Sequence, residues 1–184
     1  MDNAQMVEGC RRRDAKAQRA LYDAMAPMVM GVCMRYANDR SEAQDMLQDG
    51  FLKVFERIGS LGDSERLVSW VYNLTVNTCI DHCRRRRKWL SLEGEEVEVP
   101  SIDFDPYAAE EVINAMQQLS PMQRTVFNLC EVEGYELDEV AERLHSTNLN
   151  VRVALSRAKK ILREILTGSY TRQRQRRSNE KDIR

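Results

Sequence analysis

The sequence predicts an all-helical protein of two small domains, and three observations carry that prediction. Apolar residues recur at steps of three and four through most of the chain, the signature of amphipathic helices. Only four prolines and eight glycines interrupt 184 residues, and no stretch concentrates strand-forming residues. Residues 91–111 then hold eight acids and no lysine or arginine, together with Gly94, Pro100 and Pro106. Such a run reads as a flexible acidic linker between two helical halves. We therefore divide the chain into a first domain over 1–89, a linker over 90–105, a second domain over 106–168 and a basic disordered tail over 169–184.

In the first domain Asp14 caps a helix that runs to Tyr36, with a break expected near Pro27. Ser41, with Gln44 three residues on, reads as a capping box for the next helix, which reaches Ile58. Ala43, Met46, Leu47, Val54 and Ile58 form its core face. Its other face carries Asp45, Gln48, Asp49, Leu52 and Glu56, a stripe that suits either solvent or a protein partner. A glycine-bearing loop over 59–65 leads into a long helix over 65–87. Leu67, Val71, Leu74 and Thr78 turn towards the core. Trp70, Asn73 and Asn77 share another stripe, and Arg84, Arg85, Arg86, Arg87 and Lys88 follow as a run of cations.

The second domain opens on Asp105-Pro106, a cap followed by proline at the first helical position. Ser120-Pro121 repeats the signal for a helix that holds Val126, Phe127, Leu129 and Cys130 and stops at Gly134. A short helix over 136–146 and a longer one over 147–166 follow after a brief turn. On the longer helix Val151, Leu155, Ala158 and Leu162 face inward; Arg152, Arg157, Lys159, Lys160 and Arg163 face outward. Two helices joined by a short turn, the second basic, describe a helix-turn-helix. Asn148, Asn150 and Arg152 then suit base edges, because amide and guanidinium groups pair bidentately with purines. Arg157 and Lys160 suit phosphates. A solvated helical hairpin has the same pattern.

Charge restricts the choice of partner. The chain is almost neutral, with 28 Lys+Arg against 29 Asp+Glu, but from Arg152 onward eleven cations face three acids. An aromatic, two amides and a cation run on one helix are what single-stranded DNA needs for stacking, edge reading and backbone contact. A flipped base also needs a receiving pocket, and the loop over 59–65 lies just before that helix. The alternative is that Trp70 is core and the cations are a solvated helix end.

Other classes are excluded. No apolar run approaches the roughly 18–20 residues that span a bilayer, and the N-terminus does not read as a signal peptide. Five cysteines spread through helical segments fit reduced thiols in cytoplasm better than a disulfide framework. Cys79, His82 and Cys83 offer at most three ligands beside a cluster of arginines, so no metal site is assigned. His82 and His145 are far apart, and no nucleotide-binding glycine loop or Ser/His/Asp group is present.

Taken in order, "SEAQDMLQDGFLKVFERI", "SWVYNLTVNTCIDHCRRRRK", the acidic linker, and "LSPMQRTVFNLCEVEGYELDEVAERL" with "NVRVALSRAKK" resemble an extracytoplasmic-function sigma factor of bacterial RNA polymerase. The resemblance covers residues 14–166. It implies that the first domain (region 2) binds polymerase and the −10 promoter element, and the second (region 4) the −35 element. Asp45, Gln48, Asp49 and Leu52 would dock on core polymerase. Trp70, Asn73 and Asn77 would lie near the −10 non-template strand, with Arg84, Arg85, Arg86 and Lys88 as its basic end. Asn148, Asn150 and Arg152, with Arg157 and Lys160, would bind the −35 duplex. Leu119-Ser120-Pro121 and Gln123-Arg124 match the opening of region 4. The chain departs from the family's pattern at Asn73, where a cation is frequent, at Leu149 for a frequent glycine, at Ala154 for a frequent arginine, and at the turn His145-Ser146.

The partners so implied are core RNA polymerase, promoter DNA and an anti-sigma factor, with no cofactor, no enzymatic activity, no direct membrane insertion and a cytoplasmic location. Two alternatives stand beside this reading: a stand-alone helix-turn-helix regulator, and a sigma mimic that titrates an anti-sigma protein.

Overall fold

The computed structural model describes the backbone of residues 1–85 and 109–181, with side chains over 1–85 and 112–166. Helices and turns account for its regular structure, and no strand occurs among the described residues. The chain divides into two units, Met1–Arg87 and Lys88–Arg184. The linker expected over 90–105 lies outside the described residues.

The first unit holds α1 (Asn3–Arg11), α2 (Ala15–Tyr36), α3 (Arg40–Arg57) and α4 (Leu67–Arg85). Helix α1 was not expected from the sequence. Asp2 caps it by accepting from Gln5 N at 2.8 Å while the Gln5 side chain accepts from Asp2 N. Gly9 lets α1 approach α2, since a Cβ there would come within 2.3 Å of Ala17 Cβ. Asp14 caps α2 as expected, accepting from Lys16 N and Ala17 N.

Two expectations change. Helix α2 continues through Pro27, and both Pro27 and Asp23 are exposed, so water can reach the Asp23 carbonyl that the proline leaves without an N–H donor. Helix α3 is capped by Asp39 rather than Ser41. Asp39 accepts from Glu42 N at 2.9 Å, and the Glu42 carboxylate accepts from Asn38 N at 2.8 Å. Aspartate is the better acceptor for the orphan N–H groups at the positive end of the helix.

Helix α2 packs on α1, α3 and α4, and α3 packs on α4. Leu21, Val29 and Tyr36 meet Met46, Val54, Leu67 and Val71 in a core from which water is excluded. Buried Thr75 and Thr78 return their hydroxyls to Val71 O and Leu74 O, each at 2.8 Å, so neither leaves an unmet donor. Leu74 itself is half-buried rather than core.

The second unit holds α5 (Ala109–Met116), α6 (Pro121–Phe127), α7 (Leu137–Leu144) and α8 (Asn148–Lys181). Ser120 and Gln123 form the capping box of α6, which passes into one π-helical turn, Asn128–Val132. Arg124 is buried, and its guanidinium donates to Met116 O at 2.8 Å and to Gln117 O and Leu119 O at 2.9 Å each. One cation thus bonds three carbonyls at and just past the end of α5, and Met116 O accepts from Leu119 N at 3.1 Å as well. Helix α7 ends at His145, which takes the left-handed conformation at φ 49° and ψ 47°. That conformation favours glycine, so a histidine here carries a steric cost at the turn of the helix-turn-helix.

Lys159 was expected to face outward but is only 7% exposed and pairs with Glu131 at 2.8 Å. Its partner sits on the π-helical turn. Helical backbone continues through 169–181, where a disordered tail was expected. The arginines and glutamines of "TRQRQRR" are good helix formers and no proline interrupts them. No helix among the described residues is long and apolar enough to cross a membrane.

Candidate nucleic-acid and protein interfaces

In the first unit the chain between α3 and α4 folds into two 3-10 turns, Ile58–Ser60 and Ser64–Arg66. Leu61 lies between them with its side chain buried. Ser60 Oγ donates to Arg57 O at 2.7 Å, and Asp63 accepts from Glu65 N at 2.9 Å. This loop and the first turns of α4 enclose an open cavity of about 590 Å³, lined by Ser60 to Asp63, Arg66, Ser69, Trp70 and Asn73. Trp70 is half-buried and Asn73 exposed. Trp70 is therefore neither wholly core nor wholly free: its indole forms part of the cavity wall. An aromatic wall beside an amide and a guanidinium can stack on a planar ring and hydrogen-bond its edge.

The remaining members of the stripe lie further along α4. Asn77 is exposed but does not line the cavity. Arg84 sits 3.7 Å from Asp81, which also pairs with Lys53 at 3.0 Å, so part of its charge is locally offset. Arg85 is exposed. Arg86 and Lys88 lie outside the described residues.

On α3, Asp45, Gln48, Leu52 and Glu56 are exposed along one face, and Leu52 is 60% exposed. Asp49 differs from the others. Its carboxylate lies 2.7 Å from His82 Nε2 on α4, a partner the sequence reading did not supply. The face thus presents an apolar tip among carboxylates, one of them fixed in orientation. Such a surface complements a basic partner with an apolar recess.

In the second unit α7 and α8 form the helix-turn-helix. Thr147 Oγ1 accepts from Asn150 N at 3.2 Å and caps α8. The Asn148 amide donates to Asp138 on α7, so this side chain ties the two helices together. Asn150 is half-buried, and Arg152, Arg157 and Lys160 are exposed. Leu149 is 47% exposed between the two asparagines.

Cys79 and Cys83 point into the core while His82 turns to Asp49, so these three do not converge, and no metal-binding cluster occurs among the described residues. Three of the thiols are chemically quiet. Cys79 is held well above its usual range by its hydrogen bond with Cys33, whose sulfur lies 4.0 Å away, and by burial. Burial pushes Cys130 up to about 11, with Glu131 adding to the shift. Burial, with Asp14, raises Cys10 as well. Raised thiols resist oxidation and alkylation near neutral pH.

The family model for sigma-70 region 2 matches residues 21–88, and that for sigma-70 region 4 matches residues 109–162. The chain is 26% identical over 178 residues to RNA polymerase sigma-H factor of Pseudomonas aeruginosa, covering 88% of this chain and 92% of that one. RNA polymerase sigma factor SigV of Bacillus subtilis is 28% identical over 133 residues, covering 72% of this chain and 80% of its own. ECF RNA polymerase sigma factor SigW of the same species is 22% identical over 176 residues, covering 87% and 94% respectively. Among solved structures, the sigma factor RpoE in complex with the anti-sigma factor NepR from Bartonella quintana is similar with a TM-score of 0.48 at 21% identity. That likeness covers 81% of this chain and 96% of that one.

Proposed function

This chain belongs to the extracytoplasmic-function sigma factors, and from that membership we propose how its two units direct RNA polymerase to promoters. The observation that carries this reading is that both sigma-70 regions occur in one chain, in order, region 2 over 21–88 and region 4 over 109–162. The α3 face with Asp45, Gln48, Asp49 and Leu52 docks on core polymerase. Helix α8 enters the −35 major groove, where Asn150 and Arg152 read base edges and Arg157 and Lys160 hold phosphates. Asn148 contributes less to reading, because its amide donor is committed to Asp138.

Opening follows from differential binding. The cavity beside Trp70 can hold a base only after it leaves the stack, so it favours the open promoter over the closed one. Stacking returns about 1–3 kcal/mol per base, comparable with the cost of unstacking. Asn73 and Arg66 offer hydrogen bonds to the edge of that base. Asn77, Arg84 and Arg85, with Arg86 and Lys88, track the strand beyond it. Phosphate contacts fix position and base contacts specify sequence, and a nearly neutral chain limits nonspecific affinity.

Sigma factors are not an enzyme class. We assign this chain no catalytic step, no cofactor and a cytoplasmic place of action, with an anti-sigma factor as a further partner. A mobility-shift assay on promoter DNA with and without core polymerase tests the reading. A sigma factor shifts the promoter only with core present. A shift by the chain alone marks a free-standing regulator, and no shift under either condition marks a mimic.

A further inference from the structure

Helix α1 lies before the segment that matches region 2, which begins at residue 21. Yet it packs on both 3-10 turns of the loop that bounds the cavity. Arg11, in its last turn, donates from Nη2 to the carbonyl of Leu61 at 2.5 Å, and its Nη1 lies 3.6 Å from Glu8 Oε2. We propose that Arg11 is a positioning residue that sets base selectivity in the cavity beside Trp70, an inference that rests on the base-receiving reading of that cavity.

The geometry carries the proposal in three steps. The Leu61 carbonyl belongs to the same planar unit as the Gly62 N–H, so a bond to one fixes the direction of the other. Gly62 has no packing of its own to hold it: it is exposed, and a Cβ there would meet nothing within 4 Å. The segment from Ser60 to Asp63 therefore depends on the buried Leu61 side chain, the caps at its ends, and Arg11. Glu8, one turn earlier on α1, keeps the guanidinium aimed at the loop. Removing the cation frees the Leu61–Gly62 peptide to rotate, and the cavity loses a defined wall while Trp70 stays in place.

The test compares wild type, Arg11→Ala and Arg11→Lys, each as the full chain bound to core polymerase. The promoter is one selected from a randomised library by wild-type holoenzyme. Affinity is measured on −10 templates held open by mismatches, carrying either the preferred non-template base or an abasic site. Wild type should prefer the base. Arg11→Ala should lose about tenfold of that preference, the scale of one hydrogen bond from a charged donor. Arg11→Lys, which keeps a cationic donor, should recover most of it. Affinity for the abasic template and −35-dependent closed binding should stay at wild-type values, which a merely structural role does not allow.

If Arg11→Ala lowers the melting temperature, Arg11→Gln, a shorter neutral donor, is read in the same way. Wild-type discrimination retained by both the alanine and glutamine variants overturns the role of Arg11 alone. Equal affinity of wild type for base and abasic templates overturns the cavity reading and this inference together.

Discussion

Replacing Trp70 by alanine should impair promoter opening while sparing promoter encounter. The indole is half-buried, so one part rests against its own unit and another lines the cavity. Only the cavity-facing part can stack on a base. Full stacking is worth about 1–3 kcal/mol by alanine substitution. At about 1.4 kcal/mol per tenfold, that range is about five- to 150-fold in the open-to-closed ratio. Partial exposure favours the lower half, and we expect about tenfold. The assay is permanganate reactivity of unpaired thymines, followed in time on a duplex promoter with saturating holoenzyme. The deficit should largely vanish on a template already mismatched at the −10 element, because the DNA then supplies the opening step. Closed binding through the −35 element should not change. Circular dichroism and thermal melting must show a folded variant, since truncation also removes packing. A folded Trp70→Ala protein that opens duplex promoters at the wild-type rate would mean that the indole is packing and not readout.

On the acidic face, Asp45→Arg with Leu52→Ala leaves the Asp49–His82 contact intact and should cost several kcal/mol in core affinity with unchanged helix content; co-purification with core at wild-type level would refute the docking role. In α8, Asn150→Ala or Arg152→Ala should each cost about 1–3 kcal/mol and relax preference at one or two −35 positions in a promoter library. Lys160→Ala should weaken all sequences about equally, and Asn148→Ala should relax specificity less than Asn150→Ala. Arg124→Met strips the shared donor from three carbonyls and should destabilise the second unit by about 3 kcal/mol or more. Urea unfolding followed by circular dichroism measures this, and a loss below about 1 kcal/mol would show that water replaces the guanidinium.

The helical register was legible because it rests on spacing within one segment. The core faces of α3 and α8 follow from apolar residues at steps of three and four, and Ala43, Met46, Val151 and Leu162 are buried as that spacing implies. Pairings between segments were not legible. Lys159 reads as one more outward cation until Glu131 is brought against it. Asn148 and Asp49 read as free polar groups until Asp138 and His82 arrive from neighbouring helices. Helix α1 was missed although Asp2 and Gln5 spell a capping box, because its few apolar residues, Met6, Val7 and Cys10, become a core face only once α2 packs against them. The loop by Trp70 could be named from its glycines, but not the two 3-10 turns that shape its cavity or the bond to the Leu61 carbonyl from an arginine 50 residues away.

Transcription in a purified system tests the central claim most directly. Core polymerase with this chain is given a template library randomised across two blocks upstream of a fixed region, and RNA 5′ ends are mapped. The account predicts transcripts only when both proteins are present, starting at a fixed distance from two short enriched motifs. The upstream motif should change with Asn150 and Arg152, and the downstream motif with the residues around the Trp70 cavity. Core polymerase whose start sites are the same with and without the chain would contradict it.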